Sequence, residues 1–237
     1  MTWNAWKQKD SEFKGWTVPS LALARYWHFL ANELVNKIAP CNLLLDVGCG
    51  TGSLLTLVGE SRKCVTAIGI DPNLPHLKLI QDKSVHKIRA VGENLPLKDC
   101  RIDAIVVKAT LDHARHAEEV LREIYRVGTS RSRIYILQGI VENSKLETSH
   151  THVRDFTMAQ LQHLLRITKL RILTEKTFFS MRLQRILMLI PIVYDFLSRF
   201  LGKPSVQIIV AIKRSNMNKT LDIGRGHVHS APSSNDR

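Results

Sequence analysis

The chain has 237 residues, 44% of them hydrophobic, which is enough to bury the core of one domain and cramped for two. Its formal net charge of +13 favours contact with nucleic acid, anionic lipid or an anionic substrate, and equally fits charge that keeps a protein soluble. Its four cysteines show no CxxC pair and no metal-ligand spacing with histidine, which predicts no metal site and four free thiols in a reducing compartment.

The amino-terminal segment is rich in aromatic residues. Residues 1–40 hold all four tryptophans, and the stretch SLALARYWHFLANELVNKI within them predicts a helix. We expect this segment to form a helical cap whose aromatic side chains pack onto the following domain. The first ten residues lack the long apolar core and small-residue cleavage site of a secretory signal, so we expect a cytoplasmic protein.

From residue 42 onward, short β-branched runs alternate with helical patterns. Such alternation predicts right-handed crossovers and an open parallel sheet, and several runs are apolar on both faces, as in a sheet covered by helices on each side. We therefore expect an α/β domain over residues 41–214, a Rossmann-like doubly wound and mostly parallel seven-stranded sheet. The predicted strands are 42–47, 65–71, 86–91, 103–108, 133–138, 170–179 and 206–213, and the predicted helices are 52–60, 73–82, 115–127 and 157–167.

Two of the helices carry local signals. Thr157, followed three residues later by Gln160, predicts a capping box at the start of the last helix. In HAEEVLREIYRV, helical spacing puts four apolar side chains on one stripe, namely Val120, Leu121, Ile124 and Val127.

The most apolar part of the chain lies within residues 181–202 and is interrupted by Pro191, Asp195 and Arg199. Its uncharged run is shorter than the roughly 18–20 residues of a membrane span, so the sequence predicts a buried helix, a hydrophobic lid or an interfacial anchor there. The polar residues 215–237 predict a disordered tail.

The stretch LLLDVGCGTGSLL, residues 43–55, packs three glycines into five positions. It follows a strand and opens a helix, which is where an α/β sheet binds ligands outside its strand ends. Gly48 and Gly50 would permit a sharp turn and let backbone amides approach a ligand closely. A nucleoside triphosphate loop is excluded because Gly52 is followed by Ser-Leu and not by Lys-Ser/Thr.

Two acids narrow the choice of ligand. A dinucleotide loop would place its third glycine where Ser53 stands, although alanine or serine sometimes serves there. Asp46, just before the glycines, would repel a pyrophosphate and suits a phosphate-free cofactor with an ammonium group. Asp71 ends the next strand 21 residues beyond Gly50, at the spacing of a ribose-capping carboxylate. S-adenosylmethionine fits both acids; the simpler alternatives are that Asp46 caps a helix and that Asp71 with Pro72 begins a turn.

With GIDPN, GENLPLKD and DAIVVKATLDHA following in order, the chain resembles the class I S-adenosylmethionine-dependent methyltransferases, in particular the methyltransferase type 11 group, over about residues 42–138. The resemblance implies that S-adenosylmethionine is the cofactor. It also implies the cofactor-binding residues: Asp46, Gly48, Cys49 and Gly50 at the methionyl part, Asp71 and Pro72 at the ribose, Glu93 and Asn94 at the adenine, and Lys108 near the sulfonium.

The chain departs from the family pattern at two positions in the predicted site. The family often has an acid two residues before Glu93, where it accepts from the adenine amino group; here that residue is Val91, so base recognition would fall to backbone groups or to a neighbour. Lys108 stands where small or polar residues are usual. Because a lysine beside a sulfonium is electrostatically unfavourable, its ammonium would face an anionic acceptor or the cofactor carboxylate.

Methyl transfer from a sulfonium mainly requires alignment and exclusion of water, and a base is needed only for a hydroxyl or carbon acceptor. The candidate bases are His113, just past the fourth strand, and His152, before the last helix. The hydrophobic amino-terminal segment and residues 181–202 predict a small apolar or lipid-like acceptor, such as a quinone precursor, and the basic residues nearby favour peripheral contact with an anionic membrane.

Two further functions stay open at the level of sequence. The +13 charge would suit a methyltransferase that modifies RNA or protein, although KATLDH lacks the Asn/Asp-Pro-Pro-aromatic element common in amino-group methylators of nucleic acid. The departures at Val91 and Lys108 would also allow a non-catalytic scaffold that keeps the fold and the cofactor.

Overall fold

The computed structural model describes residues 21–142, 153–180 and 203–213. Within these residues a seven-stranded sheet is flanked by helices. The strands are β1 (Cys41–Val47), β2 (Cys64–Asp71), β3 (Val85–Arg89), β4 (Ile102–Lys108), β5 (Gly128–Gly139), β6 (Leu170–Ser180) and β7 (Lys203–Lys213), and the helices are α1 (Leu21–Lys37), α2 (Ser53–Ser61), α3 (Leu74–Leu79), α4 (Ala117–Val127) and α5 (Met158–Ile167).

The sheet has the strand order β3-β2-β1-β4-β5-β7-β6. Strands β1 to β5 are parallel, whereas β7 runs antiparallel to both of its neighbours, β5 and β6. The chain order reverses between β1 and β4, and ligands of open α/β sheets bind at the carboxyl ends of the strands beside such a switch point. The predicted fold is confirmed, and its topology directs attention to the ends of β1, β2 and β4.

Both faces of the sheet are buried by helices. Side chains alternate along β4, so that Val106 joins a cluster with α1 and α2 while Ile105 and Val107 join a cluster with α4 and α5. Helix α1 contributes fully buried leucines to the first cluster, among them Leu30 and Leu34. The predicted cap helix therefore packs onto the sheet as part of the core.

The local helix signals are confirmed. Thr157 Oγ1 accepts the Gln160 N–H at 3.2 Å, and Gln160 Oε1 accepts the Thr157 N–H at 2.9 Å, which completes the capping box of α5. The four stripe residues of α4 are all fully buried against the sheet, namely Val120, Leu121, Ile124 and Val127.

The prediction of four free thiols is wrong for two of them. Cys41 and Cys64 are partners in the parallel register of β1 and β2, their Cα atoms lie 4.8 Å apart, and they form a disulfide. Strand pairing brings together two residues that are 23 positions apart in the chain, a contact that spacing alone does not reveal. Cys49 is free and buried, and Cys100 is free and exposed.

Some predictions concern residues outside the described ranges. These are the first half of the cap (1–20), the apolar segment 181–202, the tail 215–237 and the candidate base His152. The division into cap, domain and tail therefore stays a prediction. In the ranges that the structure describes, no helix has the length and apolar character needed to span a membrane.

Candidate functional site

A cavity of about 880 Å³ opens at the carboxyl ends of β1, β2 and β4. All the residues predicted to bind the cofactor line this cavity except Asn94, whose neighbour Glu93 does line it. The candidate base His113 lies on its wall as well. The fold thus brings to one place the residues that the sequence grouped by motif.

The glycine loop bends sharply over the end of β2. The N–H groups of Gly48 and Cys49 both donate to the Ile70 carbonyl, at 2.8 and 2.9 Å. Gly48 has φ +73°, and a Cβ there would lie 2.5 Å from Thr110, so its role is close packing. Gly50 has φ +52°, and a Cβ there would meet nothing within 4 Å, which leaves an open concavity on the cavity side of the loop.

Asp71 joins the glycine loop to the end of β2. Its Oδ2 accepts the Gly50 N–H at 2.9 Å, and its Oδ1 accepts the Asn73 N–H at 2.8 Å. The second bond is the turn that the sequence offered as a structural alternative, so Asp71 forms the turn and lines the cavity as well. His76 Nδ1 also lies 3.5 Å from Asp71 Oδ1, and since a carboxylate has about four lone-pair sites, this residue keeps capacity for a further donor on Oδ2.

Asp46 lies beneath the loop and is 1% exposed. Within the described residues its Oδ1 has no hydrogen-bond partner. Burial raises the pKa of Asp46 to about 7; the ammonium of Lys108 opposes this shift and the carboxylate of Asp71 adds to it. Asp46 does not cap the following helix, because the N-cap of α2 is Gly52 and receives no side-chain hydrogen bond. A buried carboxylate with an unused oxygen at a cavity wall is stabilised when a cationic group binds beside it.

Lys108 ends β4 between the buried carboxylate and the cap helix. Its Nζ lies 5.9 Å from the centroid of the Trp27 ring in α1, within the range of a cation–π contact. The sequence did not identify Trp27 as a site residue. Helical spacing showed an aromatic helix, but only the packing of α1 on the sheet brings this ring to the cavity side of β4.

The segment after β4 forms another wall of the cavity. Thr110 Oγ1 donates to the Val47 carbonyl at 3.0 Å and so ties the ends of β1 and β4 together. His113 Nε2 lies 4.0 Å from Oδ1 of the buried Asp112, and His113 is positioned where it could exchange a proton with a bound molecule. The described residues contain no cluster of three or more His, Cys, Asp or Glu side chains that could hold a metal ion.

Cys49 is the one thiol on the cavity wall among the described residues. Burial raises the pKa of the Cys49 thiol, and the carboxylates of Asp46 and Asp71 raise this pKa further. The thiol therefore stays protonated at neutral pH and is a poor nucleophile. Its side chain packs against the backbone of β2, since its Sγ lies only 2.9 Å from the position that a Cβ on Gly69 would take.

A methyltransferase domain family matches residues 45–136, which span β1 to β5 and nearly all the cavity residues. Among curated proteins, the ubiquinone/menaquinone biosynthesis C-methyltransferase UbiE of Pseudomonas savastanoi pv. phaseolicola is 30% identical over 134 residues, covering 52% of this chain and 51% of its own length. The demethylmenaquinone methyltransferase of Thermotoga maritima is 27% identical over 128 residues, covering 53% of this chain and 56% of its own length. The chain thus spans about half the length of the curated relatives it matches.

Solved structures match the fold over most of the chain. An S-adenosylmethionine-dependent methyltransferase from Archaeoglobus fulgidus aligns with a TM-score of 0.61 at 20% identity, covering 79% of this chain and 94% of the other. A geranyl diphosphate methyltransferase in complex with GPP and sinefungin aligns with a TM-score of 0.63 at 15% identity, covering 81% of this chain and 80% of the other. At these identities the match supports the fold, and the site rests on the geometry above.

Proposed function

We propose that the chain is a class I S-adenosylmethionine-dependent methyltransferase of the type 11 group, which binds S-adenosylmethionine in this cavity and methylates a small apolar acceptor. The observation that carries the proposal is the contact between Asp71 and the glycine loop. The Gly50 N–H donates to Asp71 Oδ2 at 2.9 Å at the cavity wall, so the carboxylate faces the concavity that the loop leaves open.

The residues fit the cofactor group by group. The unused Oδ1 of Asp46 would receive the ammonium of the methionyl part. The remaining lone pair on Asp71 Oδ2 would receive a ribose hydroxyl, next to Pro72. The open side of Gly50 would leave room for the body of the cofactor. A ligand with an ammonium and a diol, and no phosphate, matches this arrangement of acids.

The other end of the cavity would hold the adenine. We place the adenine beside Glu93, where Val91 and Gly92 also line the wall. Asn94 would act through its backbone, since its N–H closes the turn onto the Val91 carbonyl at 3.3 Å.

At the methionyl end, Lys108 would face the cofactor carboxylate. Lys108 and Asp46 would then present the two opposite charges that the ammonium and carboxylate of an amino acid require.

The cofactor supplies a methyl group on a sulfonium whose leaving group is neutral. The protein's part is to align the acceptor and to exclude water, and the walls that the strand ends and the segment after β4 give the cavity would serve both purposes. His113 would accept a proton where the acceptor is a hydroxyl or a protonated carbon, with Asp112 beside the imidazole.

An apolar acceptor is supported by the wall and by the relatives. The acceptor side presents Ala109, Ala114 and Val153 to the cavity, with the Trp27 ring nearby. Two matching curated relatives are named for methylation in ubiquinone and menaquinone synthesis. We therefore propose a quinone precursor or a similar ring compound as the acceptor class.

Radioactive methyl transfer tests the reaction and the acceptor class together. The protein is incubated with methyl-tritiated S-adenosylmethionine and an extract that contains lipids, metabolites, RNA and protein. We expect the label to enter the organic phase. Label in precipitated RNA or protein would favour the macromolecular acceptors that the +13 charge suggests. Cofactor binding with no labelled product would favour the scaffold.

Calorimetry with S-adenosylhomocysteine tests the binding step. We expect Asp71→Ala to weaken binding about tenfold or more, since a charge-assisted hydrogen bond contributes ~1.5–3 kcal/mol. Asp103→Ala is the matched control, because Asp103 Oδ2 also accepts two backbone N–H groups but lies at the far end of β4. Equal affinity of wild type and Asp71→Ala would contradict the assignment.

We also propose peripheral contact with anionic membranes, supported by the net charge of +13. Co-sedimentation with vesicles that contain phosphatidylserine should be strong at low salt and weak at high salt. Absence of binding at low salt would contradict it.

A further inference from the structure

The cavity wall at the adenine end is a short turn between β3 and the following loop. Ala90, Val91, Gly92 and Glu93 line the cavity there. One end of this turn is fixed by β3, whose Arg89 pairs with the end of β2. The turn has no regular secondary structure of its own, so its position depends on what holds its other end.

Helix α4 supports the turn from below. A Cβ on Gly92 would lie 3.2 Å from Val120 and from Val47, so the backbone rests directly on these side chains. At the start of the helix, the His116 N–H donates to Glu93 Oε1 at 3.2 Å. The turn therefore contacts α4 at Gly92 and Glu93, and Gly92 also rests on Val47 at the end of β1.

A guanidinium at the end of α4 holds the loop that follows the turn. Arg126 Nη2 donates to the Leu95 carbonyl at 2.9 Å, and Nη1 donates to the Leu97 carbonyl at 2.7 Å. Glu123 Oε2 in turn accepts the Leu95 N–H at 2.8 Å. Arg126 also pairs with Glu123 at 2.7 Å and with Asp99 at 2.6 Å. We call these five residues the α4 clamp.

The clamp is stronger than an ordinary surface ion pair. The side chains of Arg126 and Glu123 are 31% and 18% exposed, and the hydrogen bond from Arg126 lowers the pKa of Glu123, so both groups stay charged at neutral pH. Exposed ion pairs contribute little, whereas a planar guanidinium that also satisfies two backbone carbonyls fixes a geometry.

The side chains of this turn offer few polar groups that could recognise an adenine. Val91 is 46% exposed and places an apolar side chain at the cavity wall. The amino group of an adenine at this wall would therefore depend on backbone groups and on the shape of the turn. Recognition by backbone is sensitive to small displacements, because hydrogen bonds weaken steeply with distance and angle.

We propose that Arg126 is a positioning residue for the adenine end of the cofactor, acting by holding the 90–97 segment against α4. This inference rests on the proposed function, since it takes the cavity to be the S-adenosylmethionine site. It assigns to α4 a role in affinity for the base that is separate from the role of Asp46 and Asp71 at the methionyl and ribose parts.

The test compares two ligands on three variants. The ligands are S-adenosylhomocysteine and S-ribosylhomocysteine, which lacks the adenine. The variants are Arg126→Gln, Arg126→Lys, which keeps the charge and loses the planar fork, and Arg122→Gln. Arg122 is the matched control, because it forms an exposed ion pair with Glu118 on the same helix, at 2.5 Å, and contacts no loop carbonyl among the described residues.

We expect both Arg126 variants to bind S-adenosylhomocysteine about tenfold more weakly while their affinity for S-ribosylhomocysteine stays within twofold of wild type. Amide hydrogen exchange of residues 90–97 in the ligand-free variants should be faster, whereas Arg122→Gln should leave both measurements unchanged. Loss of affinity for both ligands in equal proportion would show a general structural role and overturn the inference, as would unchanged affinity of the Arg126 variants for S-adenosylhomocysteine, whatever their exchange rates. Failure of the wild type to bind S-adenosylhomocysteine would instead overturn the proposed function.

Discussion

The buried carboxylate of Asp46 should lower the stability of the ligand-free protein and strengthen cofactor binding. Burial raises the pKa of Asp46 from 3.8 to about 7, so between these values the folded protein holds a proton that the unfolded chain has released. The unfolded state then binds fewer protons, and the free energy of unfolding falls as pH rises through this window. Below pH 4 the penalty is absent, and above pH 7 it is fully present.

The size of this stability penalty follows from the shift in the pKa of Asp46. Three pKa units correspond to roughly 4 kcal/mol at 1.36 kcal/mol per unit, which is an upper bound. Asp46→Asn removes the charge and keeps the shape, but the amide has hydrogen-bonding groups of its own, which cost about 1–3 kcal/mol when unsatisfied. We expect the ligand-free variant to be more stable than wild type by about 1–3 kcal/mol at pH 8, and not to be more stable at pH 4.

Thermal unfolding at pH 4 and pH 8 measures the predicted change in stability, with a shift in the midpoint temperature of about 2–4 °C per kcal/mol for a chain of this size. Calorimetry at pH 8 measures the predicted change in affinity. Asp46→Asn should bind S-adenosylhomocysteine about tenfold to a hundredfold more weakly, because an ion pair with the ammonium is lost. Asp103→Asn is the control and should lower stability without changing affinity, since Asp103 Oδ2 accepts the Leu43 N–H at 3.0 Å. A variant that is no more stable than wild type at pH 8 would refute the burial penalty, and unchanged affinity would refute the ammonium contact.

Three further predictions follow from the same geometry. Gly50→Ala should abolish measurable S-adenosylhomocysteine binding in a folded protein, by calorimetry and circular dichroism, because φ is +52° and the new Cβ enters the cavity; wild-type affinity would contradict it. Reducing the Cys41–Cys64 disulfide should lower the free energy of unfolding by about 3 kcal/mol in denaturant titration, because the bond closes a 23-residue separation. It should leave affinity for S-adenosylhomocysteine unchanged, because Cys41 lies at the end of β1 away from the cavity. The stability of Cys41→Ser should show no response to reductant. Lys108→Met should raise the pH below which S-adenosylhomocysteine affinity falls, because its charge opposes the raised pKa of the buried carboxylate; an unshifted pH profile would show that the two groups are not coupled.

The sequence was enough to predict which candidate residues meet at the cavity where their positions follow from local spacing. The glycine loop lies between β1 and α2, and Asp71 ends the adjacent strand, so strand–helix alternation was enough to place these residues on one edge of a parallel sheet. His113 follows the end of β4 and could be placed in the same way. In each case the motif is short and the sheet topology supplies the rest.

Contacts between distant elements could not be predicted in this way. Trp27 reaches Lys108 because α1 packs across the sheet, which depends on the core as a whole. Arg126 and Glu123 have the i,i+3 spacing of an ordinary surface pair, and their bonds to the loop carbonyls depend on how α4 lies beside that loop. The disulfide likewise depends on the register of two strands.

The two acids of the candidate site differ in how the fold satisfies them, and this difference supports the roles proposed for them. Asp71 receives two backbone N–H groups and so keeps its place whether or not a ligand is bound, which suits a contact that orients a neutral diol. Asp46 has no partner for its Oδ1 within the described residues, and the charge of Asp71 raises its pKa further. An incoming ammonium would remove both disadvantages at once. Affinity at the methionyl end would therefore come from a carboxylate that the ligand-free fold leaves unsatisfied, and substitutions selected for stability alone should remove it first.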